Sequence, residues 1–332
     1  MIPDRGPRER ATRARRSALG LLLLVLAACA PRPRVWVFTA PWDAASDSAV
    51  AQRVTGRATL VSGWVALDTL RGPPRMLYVD RLAADSTRRT DRFLLVTSFL
   101  GDRFHPETVR RMAEDAALRA TAEGTVQRIV RDHGYRGVVL DLEALVPADT
   151  LALVTVVRGL TAAARNGGAR EIAIAVPALD TVAYAPRVLL PYVDRLVVML
   201  YDQHWAGGEP GPVADRRWAR EALSRWVALA GADRVVAAFP TYGYHWKPGA
   251  PTAVVGFRDV DRISRVAGVA AVRDSVSGSL TLPLGADGTI WLSDGPLLAQ
   301  YVQDARALGV RTVALWRLGL EDPKVWTTLG VR

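Results

Sequence analysis

A closed barrel of eight parallel strands, each followed by a helical segment, is the fold this sequence predicts, and three observations predict it. Apolar runs of strand length recur along the chain, apolar stripes at helical spacing lie between several of them, and acids and aromatics gather where the runs end. The first run is 35–39, closed by Ala40-Pro41; the second is 60–67, with Trp64 inside it; the third is 93–99. A helix begins near Pro106, with Val109, Met112, Ala113 and Ala116 on one face, and Val126, Ile129 and Val130 continue that layer. The fourth run ends the stretch Gly134-Tyr135-Arg136-Gly137-Val138-Val139-Leu140-Asp141-Leu142-Glu143. Leu153, Val156, Val157 and Leu160 then mark a helix that Asn166-Gly167-Gly168 ends.

Runs at 172–176, 196–200 and 235–239 give the fifth, sixth and seventh strands, with Ala222, Leu223, Trp226 and Val227 marking the helix before the seventh. Residues 244–294 break the rhythm with short strand-like pieces and read as a small insertion between strands seven and eight. Leu297, Leu298, Tyr301, Val302, Ala305 and Leu308 form a last stripe before the eighth run, 312–315, and Trp316. The prediction is thus a (β/α)8, or TIM, barrel over 35–328. A doubly wound open sheet shares this alternation, but no G-x-G-x-x-G follows the first run and no phosphate loop occurs.

The N-terminus reads differently. Arg5, Arg8, Arg10, Arg13, Arg15 and Arg16 precede an apolar stretch from Ala18 to Ala28, too short to span a membrane and laid out as an export signal. Leu26-Ala27-Ala28-Cys29 resembles the bacterial lipobox, which implies a lipoprotein signal peptide over 1–28, lipidation of Cys29 and a tether over 29–34. The expected location is therefore outside the cytoplasm, anchored to a membrane and facing the periplasm or the cell surface. Cys29 is the one cysteine of the chain, so no intramolecular disulfide can form. The formal charge of +10 carries no nucleic-acid signal: all basic residues but Lys247 and Lys324 are arginine, they are scattered, and no nucleic-acid motif appears.

Chemistry is expected at the end of strand four. Side chains alternate along a strand, so Val139, Asp141 and Glu143 share one face and Leu140 and Leu142 the other. Two carboxyls that close do not ionise independently, and the one kept protonated can serve as a general acid. His105, His133, His204 and His245 show no metal-ligand spacing and no G-x-S-x-G occurs, so neither a metal, another cofactor nor a serine nucleophile is expected.

The stretch from Gly134 to Glu143 resembles the strand-four signature of glycoside hydrolase family 18, the chitinase-like barrels, whose fuller form is D-G-x-D-x-D-x-E. Arg136 stands in place of the first aspartate, and Val139 in place of the middle aspartate or, in spore-wall members, asparagine. Met199-Leu200-Tyr201-Asp202 is similar to the family's M-x-Y-D, and Trp316 to its pocket-floor tryptophan. The segments 201–212 and 315–323 resemble the bacterial branch with spore-cortex and polysaccharide-associated members.

The resemblance implies a retaining, substrate-assisted hydrolase of β-1,4-linked polymers containing N-acetylglucosamine, such as peptidoglycan or an exopolysaccharide. It makes Glu143 the acid, with Asp141 and Tyr201 holding the substrate's acetamide. Met199, Asp202, Trp205, Tyr242 and Trp316 are the expected sugar contacts. A sugar-binding lipoprotein on the same barrel is the alternative that Val139 leaves open.

Overall fold

The computed structural model describes residues 32–40, 42–54, 58–67, 75–78 and 90–331. The signal, Cys29 and the start of the tether lie outside them. Eight parallel strands form the centre: β1 Arg34–Phe38, β2 Ala58–Ala66, β3 Arg92–Thr97, β4 Gly137–Asp141, β5 Glu171–Pro177, β6 Arg195–Met199, β7 Val235–Pro240 and β8 Thr312–Trp316. They pair in chain order, and β1 also pairs with both β8 and β2, so the sheet closes. This is the (β/α)8 barrel that the sequence predicts, and its closure excludes the open doubly wound sheet. A short strand, Arg75–Tyr78, adds antiparallel to the upper part of β2.

The period of two along each strand sorts the core into two layers. Trp36 and Phe38, Phe93 and Leu95, Val139, Ala173, Val197, Val236 and Ala238, and Ala314 fill the barrel. Their neighbours, among them Val35, Val37, Leu94, Val96, Val138, Leu140, Ile172 and Ile174, pack outward against the helices. The filling is uneven. Large side chains come from β1 to β3 and small ones from β5 to β8, so space opens toward the second half of the barrel.

The helices follow their apolar stripes, with differences that have local causes. Pro106 opens α2, Pro106–Glu114, at its first turn, after α1, Ala44–Arg53. The expected single layer through Ala116 is broken at Asp115, which ends α2 and caps α3, Ala116–His133, by accepting from the Ala117 and Leu118 amides. Gly134 closes α3 in the left-handed region at φ 66°, so β4 starts at Gly137 rather than at Gly134. Helix α4, Thr150–Asn166, buries Leu153, Val156, Val157 and Leu160 as its spacing predicts. The insertion after β7 is a five-stranded antiparallel sheet from Gly243 to Leu292 with the helix Phe257–Ala267 in its second crossover. Gly243 is required there, because a Cβ would lie 2.1 Å from the Trp291 carbonyl oxygen.

Candidate active site

Strand ends deliver the site. A cavity of about 590 Å³ opens at the C-terminal mouth of the barrel, above the small side chains of β5 and β6, and is lined by Asp141, Glu143, Met199, Tyr201, Asp202 and Trp316 among others. Asp141 is the last residue of β4 and points inward, as the alternation with Leu140 demands. Glu143 lies past the strand end, and Ala144 after it adopts a positive φ of 60°, where the chain turns away from the barrel axis.

Asp141 and Glu143 are hydrogen-bonded to each other. Burial raises the Asp141 carboxyl to about 6, against the opposing pull of its hydrogen bonds with Glu143 and Thr97. Burial raises Glu143 well above the ordinary carboxylate range, and the charge of Asp141, its hydrogen bond, and the charge of Asp202 add to the effect. Both carboxyls are thus raised, and the charge of Asp141 favours the protonated form of Glu143. That is the protonation state a general acid needs.

Strand β6 and the insertion supply the second group. Asp202 stands at a positive φ of 57°, which swings its carboxylate toward the loop after β7. There its Oδ1 accepts from the Tyr242 hydroxyl at 2.5 Å and from the Tyr244 hydroxyl at 2.9 Å. Burial raises the Asp202 carboxyl while these two phenols pull it back. Tyr201 lies nearly parallel to Trp316, with ring centroids 6.4 Å apart and an interplanar angle of 13°. Trp316 is braced in turn by Phe38, edge-on at 5.6 Å, and by Trp64 at 6.3 Å.

Two of the expected sugar contacts fall elsewhere. Tyr242 is buried behind Asp202 and does not line the cavity; its hydroxyl acts on the carboxylate, not on the opening. Trp205 is 56% exposed and also lies off the cavity lining, because the loop after β6 folds on itself. Its indole covers Gly207, where a Cβ would sit 2.3 Å from the ring, just as the His204 ring covers Gly211. Met199, Tyr201, Asp202 and Trp316 do line the cavity.

Several further groups, not among the residues expected at the site, line the cavity or stand directly behind its wall. Trp42 stands at the rim, edge-on to Trp64 at 4.9 Å and under the Arg317 guanidinium, whose charge pairs with Asp43 at 2.7 Å. Phe99 and Phe104 face each other across a two-residue hairpin at the end of β3 and line the same wall. Thr97, the last residue of β3, donates to Asp141 Oδ2 at 3.0 Å. Applying the strand-end rule to β1 and β3 as well as to β4, β6 and β8 would have found these groups.

Comparison with known proteins agrees with this fold. The chain is 25% identical over 257 residues to YdhD of Bacillus subtilis, covering 73% of this chain and 61% of that one. It is 21% identical over 278 residues to the cortical fragment-lytic enzyme of Bacillus subtilis, covering 79% and 64%. The chain thus spans about three fifths of the length of these curated relatives. In structure it is similar to a chitinase from Chromobacterium violaceum, with a TM-score of 0.76 at 20% identity over 90% of this chain and 98% of that one, which is a likeness of fold. The family model for glycosyl hydrolases family 18 matches residues 79–289, a span that runs from before β3 into the insertion and holds both carboxyls. The chain belongs to glycosyl hydrolases family 18.

Proposed function

We propose that this protein is a retaining, substrate-assisted glycoside hydrolase acting on a β-1,4-linked polymer that contains N-acetylglucosamine. The observation that carries the reading is the Asp141–Glu143 pair, two buried carboxyls, both raised, that line the mouth of the barrel beside the parallel rings of Tyr201 and Trp316. Glu143 protonates the glycosidic oxygen. The substrate's own acetamido oxygen attacks the anomeric carbon from the other side, while ionised Asp141 and the Tyr201 hydroxyl hold the acetamide and offset the charge that develops on it. Glu143, now ionised, takes a proton from water, and that water opens the cyclic intermediate with overall retention. Trp316 offers its face to the sugar ring.

The polymer we favour is peptidoglycan or a related surface polysaccharide. A relative named as a cortical fragment-lytic enzyme and the lipobox-like Cys29 both support a wall-facing substrate. In this reading Cys29 carries lipid, and the protein is exported and anchored to a membrane, facing the periplasm or the cell surface. Fatty-acid labelling of the wild type but not of Cys29→Ala tests the anchor.

Hydrolysis of purified peptidoglycan and of N-acetylglucosamine oligomers by the full chain, with Glu143→Gln alongside, tests the chemistry. Loss of the general acid is expected to lower turnover by about 10²–10⁴-fold with the fold intact. Undiminished turnover by Glu143→Gln sinks the assignment. Tight binding by both proteins without cleavage by either favours instead a sugar-binding protein, the reading to which the apolar Val139 lends weight.

A further inference from the structure

Asp141 faces a problem that its neighbours define. Directly below it on the same strand face is Val139, fully buried in the apolar filling of the barrel with Leu95, Phe93 and Trp36. The two indole N–H groups of that filling, on Trp36 and Trp64, reach no acceptor among the described residues, so neither holds the carboxylate. Support from beneath is missing, and it has to come from the side.

We propose that Thr97 is the positioning residue for Asp141, taking the place of the polar side chain that position 139 lacks. The proposal rests on the hydrolytic reading above. Strands β3 and β4 pair in register so that Thr97 stands directly beside Asp141 at the last rung. The Thr97 hydroxyl accepts from the Phe99 amide at 3.0 Å, which occupies one side of the oxygen and leaves its single proton for Asp141 Oδ2, also at 3.0 Å. Thr97 is fully buried, so water does not compete for its hydroxyl, whereas Asp141 keeps its other side toward the cavity. The hydroxyl thus has one direction in which to donate, and the backbone sets that direction.

The remaining titratable groups around Asp141 cannot do the same work. Glu143 brings its own proton, but it must give that proton away during the reaction. Tyr201 and Asp202 from the end of β6, and Tyr184 and Asp180 from the segment after β5, complete the surroundings; Tyr184 donates instead to the Leu142 carbonyl at 2.8 Å. Apart from Glu143, Thr97 is the one side chain among the described residues that donates to Asp141, and it has no need to part with its proton during a turnover. It keeps the carboxylate aimed while Glu143 cycles, and it favours the ionised form of Asp141, which is the form that can accept from an acetamide N–H.

The test compares Thr97→Val, which keeps the shape and removes the hydroxyl, with Thr97→Ser, which keeps the hydroxyl and removes the methyl. Thr97→Ala is the second hydroxyl-free variant should valine prevent folding. Each full-length protein is assayed for kcat, KM and pH profile on N-acetylglucosamine oligomers, and its Asp141 carboxyl is titrated by carbon NMR, with Asp141→Asn assigning the signal. Loss of a charge-assisted hydrogen bond is expected to lower kcat by roughly 10–100-fold with KM nearly unchanged, and to move the Asp141 titration and the acidic limb of the profile up by roughly one pH unit. Thr97→Ser is expected to restore both. A folded hydroxyl-free variant with wild-type kcat and titration overturns the proposal, as does a Thr97→Ser that falls as far as Thr97→Val. If the wild type cleaves no oligomer, the hydrolytic reading fails, and an unmoved NMR titration would separately overturn the role of Thr97.

Discussion

Asp141→Asn is expected to make the protein more stable at pH 8 while destroying its turnover. Burial raises the Asp141 carboxyl from 3.8 to about 6, so the folded protein binds this proton more tightly than the unfolded chain does. The stability contributed is therefore full below pH 3.8 and is lost as pH rises through about 6. At about 1.4 kcal/mol per pH unit, the loss is on the order of 3 kcal/mol. Glu143 is raised as well, partly by the charge of Asp141, so removing that charge relieves both groups and the sign is the same for each.

Asparagine keeps the shape and can still accept from Thr97, which confines the change to the charge. For a domain of this size, about 3 kcal/mol corresponds to roughly 6 °C in melting temperature. Thermal melts of wild type and Asp141→Asn across pH 4–8 isolate the pair, because the groups beyond it are common to both and Glu143 shifts with the same sign. The expected result is a Tm difference that grows in favour of the variant as pH passes through about 6. A difference that stays constant over this range would refute the reasoning.

Two further outcomes follow from packing. Trp316→Ala removes a ring braced by Phe38, Trp64 and Tyr201, and is expected to cost about 3 kcal/mol of stability and to weaken oligomer binding about tenfold, read by thermal melts and by calorimetric titration. Gly243→Ala puts a Cβ 2.1 Å from a backbone oxygen that cannot yield, so the insertion sheet must shift and carry Tyr244 away from Asp202; faster proteolysis within residues 243–292 together with reduced turnover checks it.

The barrel was legible because both of its layers leave a periodic trace: inner and outer residues alternate along β1, β3 and β4, and the helices between carry stripes wide enough to count. Helix α1 left none, since its ten residues bury only Ser46, Ala49 and Val50. The split at Asp115 was hidden because apolar spacing continues across the break, and only the side-chain cap shows it. At the site, the carboxyls and the Tyr201-Asp202 dipeptide stood out by residue type. Thr97 did not, because a threonine at a strand end is unremarkable until the register of the next strand puts it beside a buried acid. Trp205 shows the opposite case: its residue type suggests a sugar platform, whereas its ring lies off the cavity lining and over the glycines that follow it.

The uneven filling of the barrel connects these points. Aromatic side chains from β1, β2 and β3 close one half of the interior, whereas alanine and valine from β5 and β6 leave the other half open above them. Strand β4 lies at the boundary, so its last residue has an apolar floor below, a hydroxyl on the filled side and a cavity on the open side. An acid at that point cannot be solvated from beneath, which raises its pKa, and it cannot turn toward the floor, which leaves it aimed at Glu143. The low-dielectric floor that replaces a polar residue at position 139 thus strengthens the coupling between the two carboxyls instead of abolishing it, provided that one lateral donor remains. Thr97 is that donor, and the dependence of turnover on its hydroxyl should therefore be greater here than in a barrel with an acid or amide at the position of Val139.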